Sequence, residues 1–176
     1  MGSSITEKFI GYYEGIIPHV LCRDIINCGT DETWEKRGDY LRIKEVHSSD
    51  DNIYYNDIKA AFEDILKKYS ESYPFVGVHH ITAFRINRYL KNGFMAKHLD
   101  NVYRSRDQQY EYPQVSVLLF LNNDYKGGEF VVADQVYQPE EGSAIIFPSN
   151  SKFPHEVKPV IEGTRWSMWQ CWSLCL

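Results

Sequence analysis

The chain has 176 residues, 43% of them hydrophobic and 24% charged, which allows one folded domain with a real core and argues against disorder. Its formal charge of −5 argues against a nucleic-acid partner, because such binders need a basic face to displace counterions. No apolar run reaches the length of a membrane span and no secretory leader opens the sequence, so a cytoplasmic location is the expectation.

The opening Met1-Gly2-Ser3-Ser4-Ile5-Thr6 fits a myristoylation pattern formally, but one lipid chain without a polybasic patch anchors weakly. Pro18 begins a helical stretch to Cys28, in which Val20, Leu21, Ile25 and Ile26 fall on one face and Gly29 supplies a stop. A clearer helix is predicted from Asp57 to Tyr69. Its apolar positions Ile58, Ala61, Phe62, Ile65, Leu66 and Tyr69 follow the three-four spacing of a face laid on a core. The cysteines Cys22, Cys28, Cys171 and Cys175 lack the C-x-x-C spacing of a zinc site and read as reduced thiols.

From His79 onward the periodicity becomes strand-like. The predicted strands are 79–89, 95–99, 114–121, 128–133, 135–138, 143–147, 154–160 and 164–173. Turn chemistry at Lys91-Asn92-Gly93, Asn122-Asn123-Asp124, Gly127-Gly128, Glu140-Glu141-Gly142 and Glu162-Gly163 separates most of them. The pattern predicts a mainly β protein with flanking helices and a jelly-roll, cupin-like core. Residues 1–176 read as a single domain, with 1–78 a helical N-terminal support and 79–175 the β core.

His98-Leu99-Asp100 sets an imidazole and a carboxylate two residues apart. An extended backbone points both to one side, where one cation can take them. A single H-x-[DE] is close to a chance occurrence among six His and 24 acidic residues, so its meaning depends on partners further along the chain. His155 is the third candidate. Two His and one carboxylate form the ligand set of non-haem Fe(II) oxygenases, leaving three positions for co-substrate and O2. Arg165 and Ser167 stand at i and i+2 on the last strand, where a guanidinium and a hydroxyl could grip a carboxylate. The adjacent His79 and His80 would point to opposite faces, and His19 and His47 lack acidic partners at useful spacing.

These residues stand in an ordered series: Tyr89-Leu90-Lys91-Asn92-Gly93, His98-Leu99-Asp100, Leu121-Asn122, Gly127-Gly128-Glu129-Phe130, Phe147-Pro148, His155-Glu156-Val157 with Pro159-Val160, and Gly163-Thr164-Arg165-Trp166-Ser167. The segment Phe84 to Trp172 resembles the double-stranded β-helix core of prolyl 4-hydroxylase-like 2-oxoglutarate/Fe(II) dioxygenases. That resemblance implies His98, Asp100 and His155 as iron ligands and Arg165 as the anchor of the 2-oxoglutarate C5 carboxylate, with Ser167 completing an Arg-x-Ser form. It also places Tyr89 near the inner end of the co-substrate and Ser116 as a hydroxyl that assists the anchor.

The cofactors it implies are Fe(II) and 2-oxoglutarate, with ascorbate as an accessory. The reaction it implies is hydroxylation with release of succinate and CO2. A prolyl residue in a peptide or protein is the first substrate expectation, with a free amino acid, a nucleobase or a non-catalytic binding module as alternatives. Retention of Asp100 argues against a halogenase. Phe94 and Met95 replace a tyrosine common in relatives. The polar stretch from Asn101 to Gln114, with Tyr103, Arg104, Arg106, Tyr110 and Tyr112, reads either as a substrate-bordering loop or as an ordinary solvated one.

Overall fold

The computed structural model describes residues 6–30, 35–37, 40–42, 52–74, 80–81, 83–100 and 113–173. Among the described residues two α-helices, α1 (His19–Thr30) and α2 (Tyr55–Ser72), accompany fourteen short strands. In chain order these are β1 (Gly11–Tyr13), β2 (Glu35–Arg37), β3 (Tyr40–Arg42), β4 (His80–Ile81), β5 (Arg85–Tyr89), β6 (Met95–His98) and β7 (Pro113–Phe120). Then come β8 (Lys126–Gly127), β9 (Phe130–Val132), β10 (Gln135–Tyr137), β11 (Ala144–Pro148), β12 (His155–Val157), β13 (Val160–Glu162) and β14 (Arg165–Ser173).

The major sheet runs β1-β11-β7-β14-β5-β3-β2, with β4 also paired to β14. The minor sheet runs β10-β9-β12-β6, and β8 pairs with β13. Strands distant in sequence are neighbours in space, and all pairings are antiparallel, as a jelly roll requires.

Strand alternation divides the core in two. On one face of the major sheet Val115, Val117 and Leu119 of β7, Ala144 and Ile146 of β11, and Trp166, Met168 and Trp172 of β14 pack with the buried side of the helices. On the other face Leu118 and Phe120, Ile145 and Phe147, and Trp169 and Cys171 meet Phe130, Val132 and Val157 of the minor sheet. Helix α2 buries Ile58, Ala61, Phe62, Ile65 and Tyr69, the face its spacing predicts. In α1 the buried residues are Cys22, Ile25 and Gly29, while Val20 is 59% exposed, so the predicted face is rotated away from Val20.

Several boundaries differ from expectation for identifiable reasons. Residues 1–78 are not purely helical support, because β1 and β3 extend the major sheet through β11 and β5. The predicted strand 128–133 begins only at Phe130, because Gly127 and Gly128 make a sharp turn, with φ of 72° and 64°. A Cβ at Gly127 would sit 2.4 Å from the Pro159 carbonyl oxygen, so only glycine fits. The predicted strand 154–160 divides at Lys158-Pro159 into β12 and β13, which join different sheets. A two-residue turn at Ala133-Asp134, both with positive φ, closes the β9–β10 hairpin.

Cys22 and Cys171 are buried free thiols and Cys28 is exposed, whereas Cys175 lies outside the described residues. Also outside them lie Met1 to Ile5, His47, His79 and the stretch 101–112. Among the described residues no helix is long and apolar enough to cross a membrane.

Candidate active site

The site is built where the minor sheet faces the major one. His98 ends β6 and His155 begins β12, and the two are register partners in that antiparallel pair. Cross-strand pairing therefore brings together imidazoles 57 positions apart in the chain, with ring centroids 4.2 Å apart. Asp100 comes next, in the turn after β6. Its Oδ1 lies 3.5 Å from His98 Nε2 and its Oδ2 lies 3.4 Å from His155 Nε2. Among the described residues, His98, Asp100 and His155 are the one set of three such side chains whose ligand atoms lie within 4.8 Å of one another.

The hydrogen bonds behind the rings fix what these atoms offer. His98 Nδ1 is 2.9 Å from the Ala96 carbonyl oxygen, and His155 Nδ1 is 3.2 Å from that of Phe153. A carbonyl only accepts, so each Nδ1 carries a proton, which leaves Nε2 as the ring atom that can meet a metal. Two imidazole nitrogens and a carboxylate facing one point need a positive charge between them, either a proton on a ring or a metal ion. That is the donor set of a divalent metal of intermediate hardness.

Burial raises the proton affinity of Asp100, but His155, His98 and the Ser116 hydroxyl prevail and hold its pKa well below the usual carboxylate range. Burial lowers the pKa of His98, yet the hydrogen bond and charge of Asp100 more than offset this and leave it above the ordinary imidazole value.

Arg165, at the start of β14, is fully buried. Asn122 holds that start in place: its Nδ2 donates to the Thr164 carbonyl oxygen at 2.7 Å and its Oδ1 accepts from the Trp166 backbone N–H at 2.7 Å. The guanidinium lies over Tyr89 at 5.0 Å and over Phe120 at 5.3 Å, and its Nη1 donates to Ser167 Oγ at 2.9 Å. Among the described residues its Nε and Nη2 have no hydrogen-bond partner and no carboxylate pairs with it. A buried cation with two idle donors is costly unless an anion joins it, so the pocket suits a carboxylate. The Tyr125 hydroxyl stands near the same cation, and its pKa is raised by burial, with Arg165 opposing.

Gly128 makes room for Arg165. A Cβ there would lie 3.1 Å from Arg165 Cδ. Aromatic rings connect the two halves of the site: Phe147 and Phe130 lie 4.9 and 5.9 Å from the His155 ring, and Phe130 lies 6.2 Å from Phe120 under Arg165.

The residues singled out in the sequence fall into two groups. His98, Asp100 and His155 come together, and Arg165, Ser167 and Tyr89 form the second group. The Tyr89 ring packs against Arg165, at the anion end of the site, not among the metal donors. Ser116 does not assist Arg165. It pairs in register with Cys171, about 20 Å along β14 from Arg165, and its Oγ donates to Asp100 Oδ2 at 2.5 Å. Two further residues, Trp169 and Ser149, escape sequence reasoning. The Trp169 indole N–H donates to Asp100 Oδ2 at 3.2 Å, and Ser149 Oγ lies 2.7 Å from Ser116 Oγ. The i, i+2, i+4 parity of Arg165, Ser167 and Trp169 is the signal that points to the indole.

The sequence model of the 2OG-Fe(II) oxygenase superfamily matches residues 84–173. The chain belongs to that superfamily. Over 91 residues it is 34% identical to a PKHD-type hydroxylase of Rippkaea orientalis, covering 48% of this chain and 40% of that protein. Over 63 residues it is 35% identical to human prolyl 3-hydroxylase 2, covering 32% of this chain and 9% of that protein. The chain therefore spans well under half the length of these relatives. The crystal structure of a viral collagen prolyl hydroxylase from Paramecium Bursaria Chlorella virus-1, in complex with 2OG, superposes with a TM-score of 0.73 at 14% identity. That superposition covers 98% of this chain and 100% of the other, and it shows a shared fold. Fe(II) and 2-oxoglutarate are the cofactors of the superfamily, and the two groups of side chains fit them.

Proposed function

We propose that this protein is an Fe(II)- and 2-oxoglutarate-dependent oxygenase that hydroxylates a prolyl residue in a peptide or protein. The observation that carries the reading is the pairing of a three-donor metal cluster with a buried, anion-seeking arginine across one aromatic wall. Support for a prolyl substrate comes from the relatives, which are named as hydroxylases of prolyl residues or share their fold.

His98 Nε2, His155 Nε2 and one Asp100 oxygen would hold the metal on one face, leaving the opposite positions open. Arg165 would receive the outer carboxylate of 2-oxoglutarate on Nε and Nη2. Ser167 already accepts from Nη1, so its own proton is available for the same carboxylate. When bound, Fe(II) with 2-oxoglutarate supplies the oxidising chemistry: O2 gives one oxygen atom to the substrate and one to the keto acid, which leaves as succinate and CO2. Phe120, Phe130 and Phe147 keep water from that reaction, which limits side reactions of the oxidant. Proline, with no charge and an unreactive ring, needs an oxidant of this strength and a dry site more than it needs an acid or base.

The test is succinate release from protein supplied with Fe(II), 2-oxoglutarate and ascorbate, with and without a proline-rich peptide. Slow release alone, faster release with peptide and a gain of one oxygen mass on proline are the expected outcomes. Asp100→Ala should give no succinate and lose the metal. Normal iron content in the wild type with no succinate under any condition would favour a binding module instead. Succinate without change to the peptide would move the substrate to another class.

A further inference from the structure

The two histidine ligands are held by strand pairing, but Asp100 is not. It lies in the turn after β6, beyond the last ladder position at His98. What holds its carboxylate is a set of side chains from the opposite sheet. Ser116 of β7 and Trp169 of β14 both donate to the same oxygen, Oδ2.

The acid sets the direction of these bonds. An ionised carboxylate only accepts, so the single Ser116 proton goes to Asp100. The Ser116–Ser149 contact of 2.7 Å must then be donated by Ser149, giving the chain Ser149 to Ser116 to Asp100. Ser149 and Ser116 are both buried, and such a chain polarises each member in a low-dielectric setting. Ser149 is itself fixed by its backbone N–H, which donates to the Gln114 carbonyl oxygen at 2.9 Å. Trp169 is braced in turn by the Arg85 guanidinium, 4.6 Å from the centre of its ring.

From this arrangement we infer that Ser116 and Trp169 are positioning residues that reserve Asp100 Oδ2, so that the metal receives Oδ1 alone. Oδ2 lies 3.4 Å from His155 Nε2 but already accepts from these two donors, whereas Oδ1, 3.5 Å from His98 Nε2, has no donor from the opposite sheet among the described residues and is the oxygen left for the metal. The consequence concerns the open coordination positions. A two-toothed carboxylate would fill one of the three that the keto acid and O2 require, whereas a one-toothed carboxylate leaves all three free. The inference rests on the metal-site reading proposed above and adds which residues set the denticity of the acid ligand.

The test uses Mn(II) as the probe on the full chain, without turnover. Titration gives the dissociation constant, and water-proton relaxation gives the number of exchangeable waters on the bound ion. Wild type should show three waters. Trp169→Phe keeps the ring and removes the N–H, and Ser116→Ala removes the hydroxyl and disconnects Ser149. Each should weaken Mn(II) binding about tenfold and reduce the waters to two, the range seen when partners behind metal ligands are removed. Ser116→Thr, which keeps the hydroxyl, should restore both values. If Trp169→Phe fails to fold, the two Ser116 variants carry the test. Variants that lose thermal stability but keep the wild-type water count, with affinity within twofold, would overturn the inference. Failure of the wild type itself to bind Mn(II) or Fe(II) would instead overturn the oxygenase reading.

Discussion

The two faces of the major sheet come from the same strands yet have opposite characters. Toward the helices, β7, β11 and β14 present Val115, Val117, Leu119, Ala144, Ile146, Met168 and Trp172, a dry surface whose role is burial. Toward the minor sheet, the alternate residues of those strands and of β5 include Ser116, Arg165, Ser167 and Asn87 among aromatic rings. Both faces are almost fully buried, so exposure does not distinguish the scaffold from the site. Parity does: on β7, β11 and β14 the helix face is apolar but for Gln170, whereas the polar groups of the other face have partners or await a ligand.

Substitutions on the two faces should therefore separate stability from ligand binding. Arg165→Met, on the site face, should weaken 2-oxoglutarate binding at least about a hundredfold, from the loss of two charge-assisted hydrogen bonds at about 1.5–3 kcal/mol each. The same change should leave unfolding free energy equal or raised, because it removes a buried cation with two unpartnered N–H groups. Calorimetric titration beside chemical denaturation measures both, and a large loss of stability would mean that Arg165 is structural.

Met168→Ala, three residues later and on the helix face, should do the reverse. A fully buried methionine truncated to alanine costs about 2–5 kcal/mol of stability, while the folded fraction should bind 2-oxoglutarate with wild-type affinity. A weakened affinity would show that the two faces are coupled through the sheet.

A smaller effect on both properties is expected at Gly128, where backbone conformation and ligand geometry meet in one residue. Gly128→Ala places an L residue at a φ of 64°, costing about 1–2 kcal/mol, and pushes a methyl group against Arg165 Cδ. The affinity for 2-oxoglutarate should fall several-fold. Unchanged affinity would mean that the guanidinium can shift without loss.

Chemistry is easier to read from this sequence than topology. His98, Asp100, His155 and Arg165 are legible because their side-chain types and order carry the signal, and α2 because five buried positions repeat over eighteen residues. The three-residue strands β1, β2 and β3 are not legible, since so few residues span little more than one alternation. Their strand character depends on an open sheet edge being available. Spacing alone puts Val20 on the buried face of α1, but Ile17 and Cys22 fill the contact with the sheet.

Ser116 shows the same limit within the site. Its residue type marks it as a donor, but whether it serves Arg165 or Asp100 depends on its being opposite Cys171 instead of Phe120's partner Ser167. Hydroxyl partners across strands are decided by register, and register is set by the fit of both hydrophobic faces together.

Local order along the chain determined which atoms could bind a metal and a carboxylate, because ligand chemistry belongs to the side chain. It also determined the alternation that sorts each strand into two faces. Only the tertiary structure decided that two imidazoles would meet as register partners, that one carboxylate would be held from the opposite sheet, and that a cation would be buried with no counter-charge among the described residues. Those outcomes depend on pairings between distant strands, whose free energy comes from the whole core and is not carried by any one segment.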